Sequence, residues 1–358
     1  MRLPLVFLIS AMIACALERP GVEYKIFQFP ADRIPQVDGK SADWAMVPAS
    51  YAIGMDQLKE TVHGKGFQYD KKDLDVTVKV GWVKGLNRLY FLYEAYDDYW
   101  DFRRADRHND IFELVVDGDL SGGPLIASLH PQAAALNPGE AFFSFHGVHA
   151  QNYHIFTPAP ERDWAFVWGC QPWIKELPWA NAAYDYNFKH GEAGKLTLEF
   201  WITPFDYAPY EGPARAVESK LAENKVIGMS WAVLDYDDVD AKDHEGFWNL
   251  SHKTTMYGNA SELVAFRLMP LEAAFAKPLE AQWSFQVLDM PSRLVVFQDR
   301  STGAPRQWRW DFGDGQTSAG QFPSHRYREA GEYVVTLEVT DAAGRTSRWT
   351  KVRDVVLR

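Results

Sequence analysis

Apolar and polar residues alternate with a period of two along most of the chain between residues 37 and 269. The alternating stretches are short and are separated by Gly, Pro, Asn and Asp, which predicts many β-strands rather than helices. The clearest predicted strands run from Val76 to Trp82, Leu89 to Ala95, Ile111 to Val116 and Leu196 to Ile202. The first two flank the turn Lys84-Gly85-Leu86-Asn87 and predict a hairpin. One longer connection predicts a short helix over residues 214–224.

The strand pattern stops at the segment from Pro270 to Pro278, which contains three alanines, and a second β-rich stretch begins near Trp283. A chain of 358 residues is long enough for two domains. We therefore predict an all-β protein with three parts after its first residues. These are a large antiparallel β-sandwich over residues 22–270, a linker over 271–280 and a small immunoglobulin-like β-sandwich over 281–358.

Residues 1–16 have the layout of a secretory signal, because Arg2 precedes an apolar run from Leu3 to Ala14. This run is shorter than the roughly 20 residues that cross a bilayer, and no other apolar run in the sequence is long enough. Two processing routes fit. Ala14-Cys15-Ala16 allows cleavage after Ala16, whereas Met12-Ile13-Ala14-Cys15 resembles a bacterial lipobox, in which Cys15 carries a lipid anchor. Both routes predict an exported protein that is secreted, periplasmic or attached to the cell surface.

Composition narrows the range of partners. Acidic residues outnumber basic ones by 48 to 37, for a formal net charge of −11, which argues against nucleic acid, whose phosphates bind clustered Lys and Arg. Aromatic residues make up 15% of the chain, a share that calls for large cores or aromatic binding surfaces. Cys15 and Cys170 are the only cysteines in the sequence, so a disulfide framework is excluded.

The C-terminal stretch carries the most specific motif. Trp310-Asp311-Phe312-Gly313-Asp314-Gly315, followed by His325-Arg326-Tyr327 and the run from Gly331 to Asp341, resembles the polycystic kidney disease (PKD) domain family. Asp314-Gly315 suits a tight turn at positive φ, and Trp310 and Phe312 are predicted to point inward. The resemblance implies an immunoglobulin-like sandwich that serves exported proteins as a spacer or a protein-contact module, without a catalytic role.

The large domain resembles a second family through the order of several segments. Residues 37–44 (VDGKSADW), 89–98 (LYFLYEAYDD), 109–119 (NDIFELVVDGD) and the strand over 196–205 are similar to family 9 carbohydrate-binding modules and their DOMON-like relatives. The resemblance implies a β-sandwich that holds sugar between aromatic side chains on its loops and uses calcium to brace its sheet edges. A polysaccharide or oligosaccharide is then the expected partner, and polysaccharide capture or utilisation the expected role.

Aromatic residues in loops are the candidate sugar contacts, because a pyranose can stack its C–H bonds on a flat, rigid ring. Trp100 and Phe102 follow the acidic turn Asp97-Asp98, and Trp248 and Asn249 follow a second acidic loop. Packing of these rings under a long loop is an equally good interpretation, and both stay open. A further group is predicted to lie partly in the core and partly at the surface: Trp164, Trp168, Trp173 and Trp179.

Two acidic clusters are candidate calcium sites, since Ca²⁺ takes about six to eight oxygen ligands. The first contains Asp97, Asp98, Asp110, Asp117 and Asp119, and the second contains Asp235, Asp237, Asp238, Asp240, Asp243 and Glu245. The second places five aspartates within nine residues, which repel one another unless they are neutralised. Solvated carboxylates in turns are the alternative interpretation of both clusters.

No hydrolase signature, phosphate-binding loop or metalloprotease motif occurs in the sequence, so we predict a non-catalytic carbohydrate-binding protein. Two alternatives stay open: a polysaccharide-active hydrolase or lyase with an unrecognised site, and a structural or adhesion protein of the cell surface.

Histidines offer weaker hypotheses. His146, His149 and His154 form a metal site only if a bulge brings them to one face. A haem site, as in some DOMON-like relatives, would draw on His146, His154, Met229 and Met256.

Overall fold

The computed structural model describes residues 17–104, 106–238, 240 and 242–358. The predicted signal over residues 1–16, with the alternative lipid anchor at Cys15, lies outside the described residues. The chain divides into two compact units at Leu271 and Glu272, which we call the N-terminal and the C-terminal unit. β-Strands dominate both, so the all-β prediction is confirmed.

The N-terminal unit contains fifteen of the strands and one α-helix of eight residues, α1 (Pro138–Phe145). The strands are β1 (Glu23–Phe29), β2 (Ile53–Gly54), β3 (Lys59–Glu60), β4 (Leu74–Val83), β5 (Leu89–Asp97), β6 (Ile111–Asp117), β7 (Gln151–Phe156), β8 (Ala165–Val167), β9 (Ala180–Tyr186), β10 (Gly194–Ile202), β11 (Phe205–Tyr207), β12 (Val217–Glu218), β13 (Val226–Asp235), β14 (Gly246–Asn249) and β15 (Val264–Leu268). Short 3-10 turns occupy several connections: Ser41–Met46, Ala49–Tyr51, Met55–Gln57, Ala127–Leu129, Ala133–Ala135, Pro172–Lys175, Pro213–Arg215, Thr254–Tyr257 and Ala260–Glu262.

Two large sheets form the body of this unit, and β1 belongs to both; β11 and β12 form a separate two-stranded sheet. The first sheet has the order β8-β7-β6-β13-β15-β1, with β14 on β13 and β3 on β14, and the second has the order β1-β4-β5-β10-β9, with β2 on β4. Strand pairs in both sheets are antiparallel except those of β1, which runs parallel to β15 and to β4. This exception departs from the predicted purely antiparallel sandwich. No hairpin joins β1 to either neighbour, so nothing in the local chain imposes the antiparallel direction.

The core between the sheets follows the sequence alternation. Val76, Val78, Val80 and Trp82 of β4 are at most 1% exposed, and β4 pairs with β5 through the turn at Gly85, whose φ is 89°. The predicted hairpin is therefore confirmed. Residues in phase with these on β5, β6, β10 and β13 complete the same buried cluster, so both inner faces contribute to one core.

The outer face of the first sheet is covered along part of its length. Val115 of β6 and Ala232 of β13 point outward and pack against Leu125, Met256 and Leu263. These three side chains come from the two long connections that follow β6 and β14. The remaining part of the outer face, around Glu113 and His154, forms the floor of a groove.

The helix predicted over residues 214–224 is absent. The chain there forms a 3-10 turn and then β12, in which the β-branched Val217 pairs with Tyr207 of β11. A stretch of this length has too few turns to form an isolated helix without packing partners, so strand pairing prevails. No helix among the described residues has the length and hydropathy to cross a bilayer.

The C-terminal unit contains two small sheets. Its strands are β16 (Trp283–Asp289), β17 (Leu294–Asp299), β18 (Gln307–Asp311), β19 (Thr317–Ser318), β20 (Ser324–Arg326), β21 (Gly331–Thr340) and β22 (Thr346–Leu357). One sheet has the order β16-β17-β20 and the other β19-β18-β21-β22. Trp310 and Phe312 are buried as predicted, the Tyr327 hydroxyl donates to the carbonyl oxygen of Phe312 at 3.0 Å, and Gly315 has φ 84°. The predicted inward rings and tight turn are confirmed.

Candidate metal centre and ligand groove

Three aspartates lie at core-facing positions where strands begin or end. Asp97 is the last residue of β5, Asp235 is the last residue of β13, and Asp110 directly precedes β6. Each continues the inward alternation of its strand, so its side chain points into the sandwich and is at most 2% exposed. One end of the sandwich therefore buries carboxylates where the rest of the core buries hydrocarbon.

These carboxylates converge with three more. One oxygen each from Asp97, Asp110 and Asp235 lies within 4.8 Å of the others, and the same holds for two further triads that share members with it. The full set, which we call the acidic cluster, is Asp73, Asp97, Asp98, Asp110, Asp235 and Asp237. The two clusters predicted from sequence thus meet in space at one site.

Backbone N–H groups hold the acidic cluster in place without satisfying it. Asp110 accepts from the backbone N–H groups of Asp101 and Tyr236 at 2.6 and 2.9 Å, and Asp97 Oδ1 accepts from Tyr99 N–H at 2.8 Å. By contrast, Oδ2 of Asp97 and both oxygens of Asp235 are buried without a hydrogen-bond partner. Buried polar atoms are almost always bonded, and an all-oxygen set of this kind fits a hard cation such as Ca²⁺.

The pKa values of the carboxyl groups in the acidic cluster also indicate a site that favours a cation. Burial, assisted by the neighbouring carboxylates, raises the pKa of Asp97 to about 8 and the pKa of Asp237 to about 7. Burial also raises the pKa of Asp110 and of Asp235 well above the ordinary value. At neutral pH the cluster must therefore take up protons or a cation to relieve the repulsion.

Half of the predicted metal ligands do not converge here. Asp117 lies at the far end of the seven-residue β6, about 20 Å along the strand from Asp110, and it accepts from Ser121 and Gly122 N–H groups. Asp119 also accepts from Ser121 N–H. These carboxylates stabilise a turn.

Asp238 and Asp240 are exposed, and Asp238 accepts from the backbone N–H of Asp240 at 2.9 Å. The prediction is corrected for all four residues outside the cluster, because Asp117 is buried at the opposite end of β6 and the other three are exposed. Asp73, which the sequence did not single out, joins the cluster because Leu74 pairs with Asp97 in the hairpin register.

The predicted aromatic sugar contacts are also corrected. Trp100 and Trp248 are 1% exposed, Phe102 is 6% exposed and Asn249 is fully buried. Trp100 stacks on Phe188 with ring centroids 4.9 Å apart. Trp248 points from β14 into the hydrophobic core. Neither ring presents the free face that stacking on a sugar requires.

A different surface has the character of a ligand site. Glu113 of β6 and His154 of β7 are directly opposite each other on the outer face of the first sheet, and Leu234 and Phe247 extend this floor. The groove above them has a volume of about 470 Å³, within the usual range of ligand pockets. Its walls include Trp168, Tyr236, His244 and Tyr257.

The polar floor is ordered by one tight contact. His154 Nδ1 lies 2.5 Å from Glu113 Oε2, and His154 Nε2 lies 3.0 Å from the carbonyl oxygen of Arg107. A carbonyl only accepts, so Nε2 carries a hydrogen and Nδ1 shares one proton with the carboxylate. The histidine is thus a paired polar group. Among the described residues, neither it nor His146 or His149 belongs to a group of metal-ligating side chains.

One aromatic wall of the groove is formed by a residue of the tryptophan-rich segment over residues 164–179. Trp164, Trp173 and Trp179 pack against the core, whereas Trp168 is half-buried and lines the groove. The Arg107 guanidinium lies 4.7 Å from the Trp168 ring centroid, a cation–π distance. Trp168 is therefore the member of this group that reaches the surface site.

The acidic cluster and the groove share a chain segment. Tyr236 stands between Asp235 and Asp237 of the cluster, and its side chain lines the groove. The same loop continues to Asp243 and His244, which also line it. One chain segment therefore contributes both to the acidic cluster and to one wall of the groove.

Residues 292–356 match the family model described as PKD domain. A microbial collagenase of Vibrio alginolyticus is 54% identical over 41 residues, which are 12% of this chain and only 5% of the collagenase. The PKD1 domain of the Vibrio cholerae metalloprotease PrtV is 32% identical over 21% of this chain and 93% of its own, with a TM-score of 0.19. The PKD-like character predicted from Trp310 to Asp341 is confirmed.

Two further similar structures extend over most of the chain. A family 9 carbohydrate-binding module from Caldicellulosiruptor kristjanssonii, in complex with cellotriose, covers 72% of this chain and 98% of its own, with 11% identity and a TM-score of 0.45. The same module with glucose gives 12% identity and a TM-score of 0.44. This is the family that the ordered segments of the N-terminal sequence resemble.

Proposed function

We propose that the N-terminal unit is a non-catalytic carbohydrate-binding sandwich, and that its ligand lies in the groove on the outer face of the first sheet. The observation that carries this proposal is the lining of the groove. Aromatic side chains, Trp168 and Tyr257 among them, form its walls, and the buried pair of Glu113 and His154 forms its polar floor. Sugars are recognised by this combination of rings for C–H surfaces and a few fixed polar groups for hydroxyls.

The degree of exposure supports Trp168 and Tyr257 as the contacts. Tyr257 is 39% exposed, and Trp168 is half-buried beneath Arg107. Each ring is thus anchored by packing yet accessible, which keeps the entropy cost of binding low. The rings predicted from sequence lack this access.

The floor favours binding over hydrolysis. Glycoside hydrolysis uses two carboxyl groups that flank the scissile bond, one of them free to donate its proton to the leaving oxygen. The Glu113 carboxylate is instead engaged by His154 at 2.5 Å, and His154 is engaged in turn by a backbone carbonyl. Both groups serve better as fixed hydrogen-bonding partners than as a proton donor.

Calcium in the acidic cluster is the second part of the proposal. Asp97, Asp110 and Asp235 would hold the ion from the sandwich interior, and Asp73, Asp98 and Asp237 from its rim. A bound divalent ion offsets part of the negative charge of the cluster and fixes the segment that carries Tyr236, Asp243 and His244 into the groove. Calcium therefore acts on sugar binding through the groove wall, at a distance from the sugar itself.

The C-terminal unit supports a proposal about where the protein acts. The PKD match over residues 292–356 supports a spacer or protein-contact module. Together with the signal predicted over residues 1–16, it supports a secreted, periplasmic or surface-anchored protein engaged in polysaccharide capture.

A glycan array with and without EDTA tests the proposal, followed by titration of the best ligand into variants. We expect Trp168→Ala and Tyr257→Ala to weaken binding about two- to tenfold each, because one stacked ring contributes about 0.5–1.5 kcal/mol. Tyr210→Ala is the matched control, since Tyr210 is 52% exposed in the same unit and does not line the groove. Binding to no glycan, or release of reducing ends from a bound polysaccharide, would overturn the proposal.

A further inference from the structure

Two histidines that lie far apart in sequence meet at the rim of the groove. His63 follows β3 and His244 precedes β14, and His63 Nε2 lies 3.3 Å from His244 Nδ1. Ligand atoms of His63, His244 and Asp243 all lie within 4.8 Å of one another. None of these residues belongs to the acidic cluster.

The spacing of the two nitrogens matches a shared metal ion. Zinc binds imidazole nitrogen at about 2.0–2.1 Å, so two nitrogens on a tetrahedral ion stand about 3.3–3.4 Å apart. Two imidazoles and one carboxylate also form a donor set that zinc prefers, whereas calcium takes oxygen ligands alone. The geometry points to a divalent transition-metal site, with Zn²⁺ as its best occupant, formed by His63, His244 and Asp243.

The surroundings hold His63 in position. Glu60 of β3 is 1% exposed, and its carboxylate accepts from the backbone N–H groups of Val62, His63 and Lys65 at 2.7–3.0 Å. This buried carboxylate fixes the turn that carries His63. A pre-formed ligand position lowers the entropy cost of binding a metal.

His244 is held by its neighbours in a similar way. Its ring lies 5.9 Å from those of Tyr236 and Phe247, so packing fixes its direction. Burial lowers the pKa of His244, which favours the neutral imidazole that binds metals. Asp243 and His244 both line the groove, so any further position on the metal faces that space, where water or a ligand oxygen completes the coordination. The inference does not depend on carbohydrate as the ligand of the groove.

Titration of Zn²⁺ into the full chain tests the site, with Ca²⁺ present in excess so that the acidic cluster is already occupied. We expect one Zn²⁺ per chain, and a loss of affinity of about 100-fold or more in His63→Gln and in His244→Gln, since even outer partners of a metal site contribute about 10–100-fold. Asp243→Asn should show a smaller loss. His149→Gln is the matched control, because His149 is an exposed histidine of the same unit outside the site.

Co²⁺ provides a second readout that does not depend on affinity. Cobalt bound by two imidazoles in tetrahedral geometry absorbs visible light far more strongly than hydrated cobalt, and we expect this band in the wild type and its loss in His244→Gln. Circular dichroism verifies that each variant is folded. Absence of Zn²⁺ binding under excess Ca²⁺, or equal affinity in the wild type and in the folded double variant His63→Gln/His244→Gln, would overturn the inference.

Discussion

Replacement of Asp235 by asparagine should stabilise the protein in the absence of calcium and should remove most of its stabilisation by calcium. Asp235 is buried, both of its oxygens lack hydrogen-bond partners, and it lies within 4.8 Å of carboxylate oxygens of Asp97 and Asp110. Asparagine keeps the shape of the side chain and removes its charge. Without a cation the variant should be the more stable protein, and with calcium the wild type should gain the most.

The magnitude follows from Coulomb's law. Two unit charges within 4.8 Å of each other repel by at least about 3.5 kcal/mol at an effective dielectric constant of about 20. Without a cation the wild type either bears this repulsion or keeps the carboxylates protonated at a similar cost, so we expect Asp235→Asn to raise the free energy of unfolding by about 3 kcal/mol in EDTA at pH 8. Calcium at about 100 times its Kd should stabilise the wild type by about 2.7 kcal/mol and the variant by less than about 1 kcal/mol.

Urea denaturation followed by tryptophan fluorescence measures both free energies, in EDTA and in calcium. Asp119→Asn is the matched control, since Asp119 is an exposed aspartate outside the cluster; it should leave the calcium response unchanged. Equal stabilisation of wild type and Asp235→Asn by calcium would refute the assignment of the cluster as a cation site. An Asp235→Asn variant that is less stable than the wild type in EDTA would refute the repulsion between the buried carboxylates.

Three further predictions concern stability. In EDTA, the free energy of unfolding should fall as pH rises from 3.8 to about 8, because native Asp97 keeps a proton that the unfolded chain releases; thermal melts across this range test it, and calcium should flatten the slope. Glu199→Gln should cost about 2–3 kcal/mol in urea denaturation, since the Glu199 carboxylate accepts from three backbone N–H groups and from Trp44 Nε1. Gly313→Ala should cost about 1–3 kcal/mol in melts of the full chain, because φ is 79° and a Cβ would overlap the Val334 carbonyl.

Each of these has a clear contrary result. Stability in EDTA that rises over the same pH range would contradict the raised pKa of Asp97. A Glu199→Gln protein as stable as the wild type would mean that the Glu199 carboxylate does not anchor residues 38–44. Melts of Gly313→Ala that match those of the wild type would contradict the close approach of this glycine to β21.

The burial of two aspartates of the acidic cluster could have been predicted from the sequence. Inward residues of β5 alternate as Leu89, Phe91, Tyr93 and Ala95, and the next residue in that phase is Asp97. The inward residues of β6 include Phe112, and the preceding residue in that phase is Asp110, directly before the strand. An aspartate that continues the alternation of buried residues at the end of a strand predicts a buried carboxylate. Counting the acidic residues in a segment does not predict this.

Other features of the site depend on strand pairing that the sequence does not specify. β14 has four residues, too few for an alternation that would assign Trp248 to the core or to the surface. His63 and His244 are 181 residues apart and meet only because β14 pairs with β3. The Glu113 and His154 pair likewise depends on the register of β6 with β7. Long-range register, set by the whole hydrophobic pattern, decides these contacts.

A crystal structure of the calcium-loaded protein with the best oligosaccharide from the array tests the central claim most directly. We predict sugar density in the groove, with a ring against Trp168 or Tyr257 and hydroxyls bonded to Glu113 or His154, and an ion among the carboxylates of the acidic cluster. Sugar bound at another surface while the groove holds only water would contradict the account.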